Sequence, residues 1–196
     1  MADESKIVFA NPAPLGLVGF GLTTIMLSLI NAGVLPKAGE QVVIPLALAY
    51  GGLIQLIAGI LEFRTGNTFG TVAFLSYGAF WWWFGLLILL GGHGVLDLSH
   101  AGSTIAVTLI AWGVFTLCMW VATFRLSKAL WLVFLTLWIT FFLLGFGDLL
   151  GMPGLSHAGG WLGLVCGMLA MYTSFALVTN ATYGRAVLPI GLPAVN

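Results

Sequence analysis

The sequence predicts an all-α membrane protein with six transmembrane helices in one domain, residues 1–196. Only 6% of its 196 residues are charged and 60% are hydrophobic, whereas a soluble domain of this size needs far more polar surface. The apolar residues form six runs of about 20 residues or more, the length that crosses about 30 Å of hydrocarbon. No run alternates with a period of two, which argues against a transmembrane β-barrel.

The first predicted span, residues 14–34, follows a short N-terminal segment and begins within the sequence NPAPLGL, residues 11–17. Asparagine is a good helix N-cap and proline suits the first turn, so Asn11 marks a helix start. A helix N-terminus also presents free N–H groups and a partial positive charge, which suit anions. The small and polar candidates of this span are Gly16, Thr23 and Thr24.

The second predicted span, residues 42–63, follows a charged break at residues 37–40. Small and polar residues recur along it at steps of three, four and seven, which places them on one stripe of an α-helix. Polar groups at this depth are costly in lipid, so they should face the bundle interior or water. They indicate a polar track for a small solute, or else an interhelical hydrogen bond by Gln55 and an interfacial carboxylate of Glu62 beside Arg64. The stripe comprises Pro45, Gly52, Gln55, Gly59 and Glu62.

The third predicted span, residues 69–92, contains the aromatic segment SYGAFWWWF, residues 76–84. Tyr77, Trp81 and Phe84 are spaced for one helix face. Aromatic side chains in mid-span either pack in the core or form a hydrophobic constriction that gates small solutes. The polar candidates in and before this span are Asn67, Thr68 and Ser76.

The remaining predicted spans are residues 103–124, 129–150 and 157–180, and a tail covers residues 181–196. Glycine is concentrated in the first, second and sixth spans. Small residues let helix backbones approach closely in lipid, where apolar area no longer drives association. We therefore expect tight packing within the bundle or between protomers.

Basic residues predict the orientation of the spans. Six crossings place both termini on one side, and an excess of lysine and arginine marks the cytoplasmic side. We therefore expect cytoplasmic N- and C-termini in the plasma (inner) membrane. Five basic residues fall on the side of the termini and one on the other side: Lys6, Arg64, Arg125, Lys128 and Arg185 against Lys37.

The three histidines, His93, His100 and His157, fall on the opposite side. Because histidine titrates near neutral pH, a pH-sensing role is a hypothesis for them. Their spacing gives no metal-ligand motif.

The two cysteines, Cys118 and Cys166, lie in apolar runs. We expect them to pack there as small hydrophobic residues.

Several functional classes are excluded. The formal net charge is zero and no basic cluster exists, so nucleic acid is not an expected partner. The chain is too hydrophobic to be disordered. No catalytic triad, zinc-protease, phosphate-loop or dinucleotide motif is present, so we expect neither an enzyme nor a cofactor.

Motifs along nearly the whole chain carry a family resemblance. In order they are NPAPLGL at 11–17, YGG…Q…AG…E at 50–62, GNTFG at 66–70, AF.SYG.FW at 73–81, WGVFT at 112–116, HAGGW at 157–161 and YGR…LP at 183–189. This set resembles the acetate uptake transporter family, and within it the bacterial and archaeal succinate–acetate permeases.

The resemblance implies six transmembrane helices around a pore in each protomer, and a homo-oligomeric ring of six protomers in membrane lipid. It implies uptake of acetate, and in some members of succinate, through an anion channel or a proton-coupled symporter. It also implies a narrow point formed by Phe20, Tyr77 and Leu137, and a link between Ala170 and the range of substrates.

No lysine or arginine lies at membrane depth, so a small carboxylate would be held by dipoles and hydroxyls, loosely enough to be released. The main alternative is a channel for small neutral solutes such as urea or short amides, which the same side chains would suit. A membrane scaffold without transport is a second alternative, but the stripe of the second span argues against it. The groups expected to line the path are Asn11, Gly16, Thr23, Thr24, Ser28, Gln55, Glu62, Asn67, Thr68, Ser76 and Ala170.

Overall fold

The computed structural model describes residues 9–191, and within that range it contains helices and no strand. Six helices are long and apolar enough to cross a membrane, so the predicted all-α, six-span class is confirmed. Lys6, which the topology argument used, lies outside the described residues. The helices are α1 (Ala13–Asn31), α2 (Lys37–Arg64), α3 (Thr68–Gly92), α4 (Gly102–Arg125), α5 (Lys128–Leu149) and α6 (Pro153–Tyr183).

Two helix starts differ from the expected ones. The residue that precedes α1 is Pro12, and Asn11 lies one position earlier, where its Oδ1 accepts a hydrogen bond from the Ala13 N–H at 3.0 Å. Asn11 therefore forms the turn before the helix and is not its N-cap. α6 begins at Pro153, four residues before the expected start, because proline is well suited to the first helical position.

Helix α2 is not a uniform α-helix. It opens with a 3₁₀ turn at Lys37–Gly39 and contains a π-helical segment, Ala47–Ile54, between α-helical parts. A π turn holds more residues than an α turn, so it shifts the phase of the side chains before it. Pro45 is consequently exposed, and the predicted stripe is wrong at this position. The other four residues of the stripe are all buried: Gly52, inside the π-helical segment, and Gln55, Gly59 and Glu62, after it.

The six helices surround a shared interior. Backbone packing runs in the order α4, α5, α6, α1, α2, α3. The remaining seam, between α3 and α4, is bridged by long side chains: the Tyr77 hydroxyl donates to Thr116 Oγ1 at 3.0 Å, and the rings of Phe80 and Trp112 lie 5.2 Å apart. We call the end where α1 begins and α6 ends the terminal end, and the opposite end the loop end.

Glycine allows the closest contacts of α1 with α6. A Cβ atom on Gly160 would lie 2.2 Å from the backbone nitrogen of Ala32. Gly21 and Gly167 face each other in the same seam, and a Cβ on either one would lie about 3 Å from the carbonyl oxygen of the other. Small residues thus hold these two helices in backbone contact within one protomer.

Candidate functional site

A large cavity occupies the loop end of the bundle. Its volume is about 820 Å³, which suits a small organic solute together with water. Its wall is mostly apolar, with hydroxyl groups on the middle turns of the helices and charged groups at the helix ends. The polar side chains of the wall are Thr24, Ser28, Asn31, Lys37, Glu40, Thr140, Asp148, Ser156 and His157.

A small cavity of about 100 Å³ lies at the terminal end. Its wall is predominantly apolar, and among the described residues it includes no carboxylate, histidine, lysine or arginine. The two cavities share Phe20 and Leu137, which therefore stand between them. The polar side chains of the small cavity are Gln55, Asn67, Tyr77, Ser127 and Thr173.

Phe20 and Leu137 stand between the cavities, and Tyr77 lies beside Phe20 on the side of the small cavity. Phe20, Tyr77 and Leu137 are 5%, 3% and 4% exposed, and the rings of Phe20 and Tyr77 lie 5.8 Å apart. Tyr77 lines only the small cavity and is held by its hydrogen bond to Thr116 on α4. The residues come from α1, α3 and α5, so the width at this point depends on the positions of three helices.

Three buried donor groups of the large cavity have no hydrogen-bond partner among residues 9–191. They are Thr24 Oγ1, Thr140 Oγ1 and Trp81 Nε1. A buried threonine hydroxyl in a helix normally bonds the carbonyl four residues earlier. The buried hydroxyls that do so here, at 2.7 to 2.8 Å, are those of Thr23, Thr116, Thr136 and Thr173.

The hydroxyls of Thr24 and Thr140 therefore differ from those of the other buried threonines. The Trp81 indole N–H shares its lack of a partner within residues 9–191 with those of Trp120 and Trp138. An unbonded polar group in a buried position is costly, and such groups are normally satisfied by something. The three residues line the large cavity, but each of the three atoms is itself buried, so a solute or water would reach it only after the side chain rotates. Together they form a set of neutral donors close to Phe20 and Leu137, suited to the oxygens of a carboxylate or an amide.

At the terminal end, Asn67 lines the small cavity and its Oδ1 accepts the N–H of Gly70 at 3.1 Å, which caps α3. Glu62 lies behind it, 1% exposed and outside both cavity walls. Its Oε2 accepts a hydrogen bond from the Thr65 hydroxyl at 3.4 Å, and a Cβ on Gly70 would lie 2.7 Å from its carboxyl carbon. The carboxyl thus packs against the start of α3, and it forms no ion pair with Arg64.

Five other predicted site residues lie away from the two cavities. Thr23 packs against Gly51 of α2, and Gly16 packs against the ring of Phe74. Ala170 is fully buried in the core, Thr68 is exposed at the start of α3, and Ser76 is half-buried. None of the five appears in either cavity wall, and neither does Asn11.

A model of the GPR1/FUN34/yaaH family matches residues 1–193 of the sequence. The chain belongs to this family.

Curated relatives of this GPR1/FUN34/yaaH member are named as transport proteins. It is 44% identical over 182 residues to the succinate-acetate/proton symporter SatP of Escherichia coli K12, covering 93% of this chain and 95% of that protein. It is 38% identical over 196 residues to acetate permease A of Emericella nidulans, covering 93% and 66%. A solved structure of the bacterial acetate channel SatP superposes with a TM-score of 0.90 at 42% identity, covering 94% of this chain and all of that one. The chain is therefore a multi-pass membrane protein.

Sequence reasoning missed five uncharged polar wall residues of this family member, namely Asn31, Ser127, Thr140, Ser156 and Thr173. Thr140 lies three positions after Leu137 on α5, and Thr173 lies three positions after Ala170 on α6, so each follows a predicted site residue by about one turn. A spacing of about one helical turn from a predicted site residue is therefore the signal that could have identified Thr140 and Thr173. Of the three histidines, His157 lines the large cavity, and His93 and His100 line neither of the two cavities. His93 instead contacts the Leu89 carbonyl through Nδ1 at 2.8 Å.

The charges of the site lie at its mouth. Lys37, Glu40 and Asp148 line the large cavity near helix ends, and Lys37 pairs with Glu40, the one ion pair within residues 9–191.

In the loop after α3, hydrogen bonds from Ser99 hold the pKa of Asp97 below its usual range, so this exposed carboxyl is ionised at neutral pH. No group of three or more metal-ligating side chains occurs in the described part of the chain.

Proposed function

We propose that the chain carries acetate, and also succinate, across the membrane through a pore that joins the two cavities. The observation that carries this proposal is the meeting of the cavities at Phe20 and Leu137, next to three unbonded donors. The names of the relatives supply the substrate class. The proposed role is transport and involves no enzymatic chemistry.

The unbonded donors act as a loose docking point for the carboxylate. Thr24, Thr140 and Trp81 each offer one hydrogen bond, and together they replace part of the water shell of the substrate. A fixed cation would bind a carboxylate more strongly. Neutral donors hold the substrate weakly enough to release it, which transport requires.

The constriction selects by size and polarity. In this proposal Phe20, Tyr77 and Leu137 form the narrow apolar passage, which admits a two-carbon acid and hinders longer ones. On the far side, Gln55 and Asn67 offer amide groups in the small cavity. Glu62 positions Asn67 from behind rather than contacting the substrate, because its carboxyl lies outside the cavity wall.

The orientation and assembly extend the same proposal. Four described basic residues lie at the terminal end, so we propose that this end faces the cytoplasm of the plasma (inner) membrane. Labelling of single-cysteine variants, Ser99→Cys or Thr182→Cys, with a membrane-impermeant maleimide tests this. In intact cells, the cysteine at residue 99 should react and the one at residue 182 should not. The four basic residues are Arg64, Arg125, Lys128 and Arg185.

A ring of six protomers is the proposed assembly. Helix α4 has the least buried surface of the six spans, so it offers an apolar face for a neighbouring protomer or for lipid. The mass of the detergent-solubilised protein, measured by light scattering with the detergent subtracted, should correspond to six chains of 20.8 kDa.

The docking point is tested by removing one hydroxyl at a time. Thr140→Val should raise the KM for acetate uptake into proteoliposomes about threefold to tenfold, since one hydrogen bond contributes about 0.5–1.5 kcal/mol. The thermal midpoint should not fall, because the lost hydroxyl has no protein partner. The matched control is Thr136→Val on the same helix, whose hydroxyl bonds its own backbone. An unchanged KM in both variants would contradict the assignment.

A counterflow assay separates the main hypothesis from the neutral-solute channel. Proteoliposomes loaded with unlabelled acetate should accumulate labelled acetate transiently, whereas loading with urea should not drive acetate uptake. Efficient exchange of urea with no exchange of acetate would support the alternative and overturn the proposal.

A further inference from the structure

The segment after α6 folds back across the terminal end of the bundle. The chain turns at Gly184, whose φ of +63° favours glycine, and continues as the C-terminal strap, residues 186–191. Asn180 fixes the start of this strap. Its Oδ1 accepts the N–H groups of Val187 and Leu188 at 2.7 and 2.9 Å, and its Nδ2 donates to the Leu188 carbonyl at 2.9 Å.

The far end of the strap is fixed to two helices. The Tyr172 hydroxyl of α6 donates to the carbonyl of Pro189 at 2.7 Å. The N–H groups of Lys128 and Ala129, in the first turn of α5, donate to the carbonyls of Gly191 and Ile190 at 2.7 and 3.0 Å. The first N–H groups of a helix have no partner within the helix, so the strap caps α5 and bridges it to α6.

Between these attachments the strap closes one side of the small cavity. Ile190 belongs to the cavity wall, together with Ala13 at the start of α1 and Asn67 at the start of α3. The terminal exit from the small cavity is thus bounded partly by a loop residue and not by helices alone. This arrangement places an apolar side chain at the exit, in series with Phe20 and Leu137.

We propose that Ile190 is a second specificity-determining residue for transport and that the C-terminal strap serves to hold it at the exit. This inference rests on the proposed function. A branched apolar side chain narrows the exit and excludes water from it, which hinders a longer or doubly charged acid more than acetate. The capping bonds to α5 and the three bonds of Asn180 keep that side chain in place.

Substitution of Ile190 tests the inference directly. Ile190→Ala should raise the ratio of succinate to acetate uptake in proteoliposomes about threefold or more, with acetate uptake within about twofold of the original, since one methylene in a pocket can change discrimination about tenfold. Ile190→Trp should lower uptake of both acids. The matched control is Val187→Ala, a strap residue that lines no cavity and should leave the ratio unchanged.

Loosening the strap should have the same effect without changing the wall. Asn180→Ala removes three hydrogen bonds to the strap and should raise the ratio of succinate to acetate uptake. The control is Thr182→Ala, near the same helix end, which removes only a hydrogen bond within α6 and should leave that ratio unchanged. Should Ile190→Ala fail to accumulate, Ile190→Val gives the same trend in smaller measure. An unchanged ratio in the Ile190 variants overturns the inference even when acetate is transported normally. Absence of acetate transport in the unsubstituted protein would instead refute the proposed function.

Discussion

Thr23 and Thr24 are neighbours in the sequence, but only Thr24 lines a cavity. Successive residues of a helix point about 100° apart, so Thr23 faces α2 and bonds the Gly19 carbonyl, while Thr24 faces the bundle interior. The sequence identified both as polar candidates at membrane depth. It could not separate them, because the choice depends on which face of α1 packs against α2.

The same limit applies to Gln55, Ala170 and Ser76. Spacing predicted that Gln55 faces the protein interior, Ser76 was a polar candidate of its span, and the family resemblance implied a site role for Ala170. The interior, however, contains both packed seams and open cavities. Gln55 lines the small cavity, whereas Ala170 is fully buried between packed helices and lines neither cavity. A single sequence shows the polarity of a helix face and not how much volume its neighbours leave in front of it.

Leu137→Ala should widen the passage between the two cavities. Removal of the isopropyl group should raise the ratio of succinate to acetate uptake about threefold or more, at some cost in stability, because the residue is buried. Leu132→Ala on the same helix is the control, since that side chain lines no cavity. Ala170→Ser should change the ratio less than Leu137→Ala, because it acts only through packing. Equal ratios in Leu137→Ala and the unsubstituted protein would count against the constriction.

At the scale of the helices, the sequence predicted the number and class of the spans because lipid imposes a length and an apolar composition on each one. It failed where local geometry departs from a regular helix. The π-helical segment Ala47–Ile54 changes which residues share a face, so the stripe from Pro45 onward could not be extrapolated. The sequence also predicts too long a break before α6, since Pro153 begins the helix and does not belong to the loop.

Gly160→Ala should destabilise the contact of α1 with α6. The added carbon would lie 2.2 Å from the Ala32 nitrogen and 2.5 Å from the Asn31 carbonyl carbon, and backbone atoms cannot move aside as a flexible side chain can. We expect a cost of about 1–3 kcal/mol, as for other overpacked sites, measured as a lower thermal midpoint in detergent. Gly154→Ala in the same helix is the control. Its added carbon meets open space, and it should raise stability slightly. Equal thermal midpoints for Gly160→Ala and Gly154→Ala would contradict the close contact of Gly160 with the backbone of α1.

For the molecule as a whole, the distribution of charge decides what can cross. The described charged residues lie at the two ends of the bundle, and the titratable groups of the large cavity lie at its mouth. Neither the small cavity nor the passage at Phe20 and Leu137 includes a carboxylate, histidine or lysine within residues 9–191. A proton therefore has no chain of titratable side chains to follow between the two ends. A bare carboxylate, in turn, meets an apolar passage without a compensating cation, which is costly.

Both obstacles disappear when the acid crosses in its protonated form. We predict that transport is electroneutral and follows the undissociated acid, so that each acetate carries its own proton and the net result is acetate–proton symport. At fixed total acetate, the initial rate should fall about tenfold between pH 6 and pH 7, because a carboxyl of ordinary pKa loses about nine-tenths of its neutral form over that interval. The measurement is labelled acetate uptake into proteoliposomes with the membrane potential clamped by potassium and valinomycin. The rate should not depend on the potential, and a pH-sensitive dye should report acidification of the lumen. A rate that is flat with pH and rises with an inside-positive potential would show instead that the anion crosses.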